Sequence, residues 1–185
     1  MLSAVERPLS RALGVATIAL GLEVARVLAT RVPGLELTAL LAGGLALCLL
    51  AVGLSPDRLG IGTARLGLRL LGGLALTVAL LLPAAVRWGG GPELGAPFAA
   101  AAVAVSIGEE LAFRGALYSA LDDLGGPSLA VVGSTAVWTL AHALSHPIAF
   151  LPAVAGAGLL LGLWRWACRD LVGPMVAHTL ADLAL

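Results

Sequence analysis

Apolar residues fill this chain in long blocks, broken by short clusters of Pro, Gly and charge. A helix crossing ~30 Å of hydrocarbon needs about 20 apolar residues at about 1.5 Å each, so every block of that length predicts one spanning helix. Seven are expected, over residues 12–31, 36–54, 66–86, 97–120, 128–146, 148–164 and 171–185. The breaks read as turns. They are Val-Pro-Gly-Leu-Glu at 32–36, Ser-Pro-Asp-Arg at 55–58, Arg-Trp-Gly-Gly-Gly-Pro-Glu at 87–93, Asp-Asp-Leu-Gly-Gly-Pro at 122–127 and His-Pro at 146–147. None is long enough to hold a soluble domain. The expected fold is an all-α, polytopic transmembrane helix bundle of seven spanning helices, one integral membrane domain overall. Residues 1–96 supply helices without motifs, and 97–185 carry the polar clusters.

Composition agrees with this pattern. Hydrophobic residues make up 59% and charged residues 12% of the chain, against about 25% charged in a soluble domain. All 11 basic residues are Arg, and Lys, Asn and Gln are absent. Without Asn there is no N-glycosylation sequon. Arginine without lysine, with abundant Ala, Leu and Gly, points to a GC-rich bacterial genome and hence a bacterial cell membrane. A net charge of zero gives no basic patch for nucleic acid, so membrane lipids are the expected surroundings. Cys48 and Cys168 lack metal-ligand spacing and are expected to be plain thiols.

The first block starts behind Arg7 and Arg11 as a signal peptide would, yet it contains Glu23 and Arg26 and lacks a small-residue cleavage site. It is expected to be a retained helix. A cytoplasmic N-terminus places Arg7, Arg11, Arg58, Arg65, Arg165 and Arg169 inside and only Arg31 and Arg87 outside, so the positive-inside rule predicts N-in and C-out. Trp88, Trp164 and Trp166 fall at block ends, where interfacial anchors belong. Gly158 and Gly162 form a small-xxx-small pair suited to close helix packing within the chain.

Three charges interrupt the fourth block: Glu109, Glu110 and Arg114. Each costs roughly 2.5–3.5 kcal/mol at the centre of a spanning helix, so the cluster marks a functional site. Residues four apart share a helical face, which puts Glu110, Arg114 and Tyr118 in one stripe. Glu109 lies about 100° away, near Ser106 and Phe113. Glu110 and Arg114 are the expected ion pair and structural support; Glu109 is expected to be unpaired and available for chemistry. His142 and His178 stand on two further blocks. His178 shares its face with Asp182, and His146 lies one turn beyond His142, against a Pro, in an expected structural role.

Glu-Glu-x-x-x-Arg at 109–114, an aromatic-x-x-x-His from Trp138 to His142, and His-x-x-x-Asp from His178 to Asp182 occur in that order on separate blocks. Together they resemble the CPBP family of intramembrane proteases, which includes the type II CAAX prenyl endopeptidases and proteins linked to bacteriocin self-immunity. The resemblance covers residues 97–185. It implies hydrolysis of a peptide bond in a membrane-associated or lipidated protein, with Glu109 and His142 activating a water. His178 and Asp182 would polarise the scissile carbonyl or hold a metal. Trp138 stands where Phe is usual in the family, an exchange expected to be harmless. Asp182 stands where Asn is usual, which leaves three roles open: a protonated hydrogen-bond donor, an orienting group for His178, or a cation ligand.

Glu109, His142, His178 and Asp182 could form a His₂-carboxylate zinc set, but HExxH is absent, and a metal-free glutamate mechanism fits the same residues. Two other classes bury similar groups. A proton- or ion-coupled transporter should show internal repeats or paired broken helices, and none is visible. A non-catalytic membrane scaffold or immunity protein would have no need of all three motifs.

Overall fold

A computed structural model describes residues 6–85 and 94–184. All regular structure among these residues is helical. In chain order the helices are α1 (Glu6–Thr30), α2 (Glu36–Cys48), a short α3 (Pro56–Leu59), α4 (Leu66–Ala85), α5 (Ala96–Glu109), α6 (Tyr118–His142), α7 (Leu151–Cys168) and α8 (Val172–Ala184). The seven apolar blocks thus reappear as seven long helical segments. The turn expected at 87–93, with Arg87 and Trp88, lies outside the described residues.

Two features of the fourth and fifth segments position the site. The backbone from Glu110 to Leu117 is π-helical, joining α5 to the start of α6 in one continuous rod. Such turns are rare and concentrate at functional sites, because the wider winding re-aims the side chains it carries. The rod ends where Gly125 and Gly126 leave helical geometry, Gly126 at φ +78°. That left-handed conformation suits glycine. Pro127 then opens the returning half of α6, where its missing N–H is harmless. The stretch Ala96–His142, 47 residues of mostly apolar helix, therefore folds back on itself as two spans.

Packing follows the small residues. Helix α2 lies along α5, with Gly44 against the backbone of Ala104 and Val105 and Gly108 against the Gly44 carbonyl. Any side chain there would hold the two helices apart. Gly158 and Gly162 of α7 meet Thr135, Trp138 and Val131 of α6, as their spacing predicts. Trp164 also has partners within the bundle: its ring covers Gly72 and its indole N–H donates to Asp170 at 3.1 Å. Leu13, Leu45, Leu68, Leu71, Val78 and Leu82 face outward, as a lipid-facing surface requires.

The helices alternate in direction, so the connections sort to two ends. At one end Arg58 pairs with Asp123 and donates to the Ser119 carbonyl, Arg165 donates to the Arg58 carbonyl at 2.6 Å, and Leu171 N–H to Gly60 at 3.0 Å. Arg11 joins this end through Asp123. At the other end Arg31 donates to the Leu144 carbonyl.

Candidate active site

Glu109, Glu110 and Arg114 sit at the bundle centre, each at most 3% exposed. Arg114 Nη1 donates to Glu110 Oε1 at 2.8 Å, the pairing their spacing predicts. The rest of that guanidinium stacks on Trp138, its Cζ 4.0 Å from the ring centroid. Its Nε and Nη2 have no hydrogen-bond acceptor among the described residues, so the indole face takes the place of one.

Glu109 is not the unpaired carboxylate expected from α-helical spacing. Arg26 Nη2 donates to its Oε1 at 3.1 Å, and Trp138 Nε1–H to its Oε2 at 2.7 Å. Arg26 in turn is held by Glu23, three residues earlier on α1 and itself buried. Spacing along one helix reports only the neighbours on that helix; these donors arrive from α1 and α6. A carboxylate offers about four lone-pair directions, so both oxygens of Glu109 keep acceptor capacity.

His142, at the end of α6, turns Nδ1 to the Trp138 carbonyl at 3.0 Å. A carbonyl only accepts, so Nδ1 carries a proton, and in the neutral ring Nε2 keeps its lone pair. That nitrogen lies 3.9 Å from Glu109 Oε2, a separation that a single water can bridge. His178 Nδ1 faces Glu110 Oε1 at 2.9 Å, and its Nε2 lies 3.5 Å from Asp182 Oδ2. Ser106 Oγ donates to the same Asp182 oxygen at 2.7 Å. Trp138 stands between the two imidazoles, its ring centroid 4.4 Å from His142 and 5.5 Å from His178. His146 is exposed beyond the helix, its Nδ1 against Ser145 and its ring between His142 and Phe150. The helix ends four residues earlier than the apolar pattern suggests.

The motif residues from three helices therefore meet around one buried centre, whose most exposed members are the half-buried His142 and Asp182. Glu23, Arg26 and Ser106 join them without having been singled out for it. Glu23 and Arg26 carried the relevant signal, charge inside an apolar helix. The donors named for zinc do not converge: no group of three or more His, Cys, Asp or Glu side chains among the described residues forms a metal cage. Both Glu109 oxygens accept from Arg26 and Trp138, and both His178 nitrogens face carboxylates.

The family model for type II CAAX prenyl endopeptidases, Rce1-like, matches residues 92–184, which include all three motifs. No curated protein and no solved structure matches the chain.

Proposed function

The chain belongs to the Rce1-like type II CAAX prenyl endopeptidase family, and from that premise we propose that Glu109 and His142 together activate a water for peptide-bond hydrolysis. It is an integral membrane protein and, at the level of its family, an intramembrane protease. The observation that carries the proposal is the 3.9 Å gap between Glu109 Oε2 and His142 Nε2.

A water in that gap donates one proton to each acceptor. Its oxygen attacks the scissile carbonyl carbon as Glu109 takes a proton. The oxyanion forms toward the His178 and Asp182 side, where an imidazole N–H stabilises it as it develops. Glu109 then returns the proton to the leaving amine as the C–N bond breaks. Asp182, accepting from Ser106 and close to His178, orients that imidazole. Activation of the water is assigned to side chains alone, since the zinc donor set does not converge.

The proposed substrate is a membrane-associated or lipidated protein, cut near its membrane attachment. The test is cleavage of an internally quenched, prenylated peptide ending in Cys-aliphatic-aliphatic-X, together with mass spectrometry of membrane-protein termini in cells with and without the active chain. Glu109→Gln should lower kcat by about 10²–10⁴-fold, the usual contribution of a general base, while folded protein accumulates normally. Full activity in a well-folded Glu109→Gln protein would remove the glutamate from the mechanism.

A further inference from the structure

We propose that Arg26 is a positioning residue for Glu109, seated in a slot that Gly43 leaves open on α2; this rests on Glu109 being the base. Arg26 lies 83 residues from Glu109 in sequence, yet its Nη2 donates to Glu109 Oε1 at 3.1 Å. Its Nε and Nη2 also reach Glu23 Oε2. One guanidinium thus ties α1 to the carboxylate that faces His142.

The slot is visible at Gly43. A Cβ built there would fall 2.6 Å from Arg26 Cδ and 2.8 Å from Cγ, inside van der Waals contact. Those atoms are mid-chain, not a mobile tip, so they cannot swing aside without moving the guanidinium. Gly44, its neighbour, faces the other way, onto α5. The Gly-Gly pair therefore does two jobs: one residue brings α2 against the helix that carries Glu109, and the other leaves room for the arginine that reaches it.

The pairing of one arginine with two carboxylates fits a base that must change charge. With both carboxylates ionised, Glu23, Arg26 and Glu109 together carry one surplus negative charge. When Glu109 takes the proton from water, Glu23 still pairs Arg26, and no cation is stranded in the bundle interior. With Trp138 on the other oxygen, the carboxyl group is held from both sides throughout the step.

The test uses the full chain in proteoliposomes and the quenched prenyl peptide. Arg26→Met should lower kcat at least about tenfold with KM within about twofold of the parent, the pattern of an interaction used in the transition state. Arg26→Lys, which keeps a cation, should recover part of that loss. In the Glu109→Gln background the same Arg26→Met change should alter the residual rate by less than about twofold, because its only route to the chemistry has gone. Gly43→Ala, which keeps every charge, should also lower kcat, and its effect on both kcat and melting temperature should vanish when combined with Arg26→Ala, whose emptied slot accepts the methyl group. Parent-like kcat in well-folded Arg26→Met, or equal losses in the two backgrounds, overturns the proposal. A Glu109→Gln protein as active as the parent overturns the assignment of the base instead. If the parent leaves the peptide uncut, the melting-temperature arm decides: a Gly43→Ala effect indifferent to Arg26 refutes the slot.

Discussion

The indole N–H of Trp138 donates to Glu109 Oε2 at 2.7 Å, a bond that the phenylalanine usual at this position in the family could not form. The exchange looked harmless in the sequence because both residues are large and aromatic. In the bundle it adds a donor to one of the most consequential oxygens in the chain. A hydrogen bond to a charged group is worth about 1.5–3 kcal/mol, so Trp138→Phe should lower kcat by about tenfold or more. Phenylalanine still offers a ring face to Arg114, which separates the lost bond from lost packing. Unchanged kcat in purified Trp138→Phe would mean that the indole only fills space.

Glu110 is set apart from Glu109 by what its loss leaves behind. Glu110→Gln strands Arg114, which is fully buried, and removes the charged partner of His178. Breaking one side of a buried pair costs about 3–5 kcal/mol. Yield and melting temperature in detergent should fall sharply for Glu110→Gln and little for Glu109→Gln. The reverse order would exchange their roles.

The seven helices were legible because hydrocarbon thickness sets a block length and Gly-Gly-Pro marks a reversal. Even the fold-back at Gly125 and Gly126 lies within an expected turn. The pairing of Glu110 with Arg114 was equally plain, since it is local to one helix. What escaped is what depends on two helices meeting. Arg26 showed the same anomaly as Glu109, a charge in an apolar run, but nothing in the order of residues says that α1 ends up beside α6 and the π-helical stretch that follows Glu109. The π-helical winding at Glu110–Leu117 has no signature in the sequence either. That stretch packs Ala112, Phe113 and Leu117 into the core, against residues of other helices that the order along the chain does not reveal.

Asp182 tests the metal question. Its Oδ2 accepts from Ser106 and lies near His178 Nε2, contacts that an asparagine carbonyl can reproduce. Asp182→Asn should therefore keep at least about half the parent activity, the amide adding a donor that the carboxylate lacks. Metal analysis of the purified parent, with chelator titration, accompanies the assay. A stoichiometric metal in the parent, lost together with activity in Asp182→Asn, would instead make Asp182 a ligand.

Orientation decides from which side substrate arrives. The end that gathers Arg11, Arg58, Arg165 and their acceptors is opposite to the end where Arg31 meets Leu144. His142 and Asp182 lie toward the Arg31 end, at the last turns of α6 and α8. The positive-inside rule assigns the arginine-rich end to the cytoplasm, so a cytoplasmic N-terminus would open the site on the opposite side. Reporter fusions should then report residues 60 and 125 as cytoplasmic and residue 90 as external, and a cysteine at Ser145 should react with an impermeant maleimide applied to intact cells. The connection at 122–127 is the weakest of these tests, since it carries Asp122 and Asp123 but no arginine, and acidic residues count little in the rule. An inverted result at residues 60 and 90, with Ser145→Cys protected in intact cells and labelled in inverted vesicles, would place the opening in the cytoplasm, where a prenylated cytosolic protein could reach it directly.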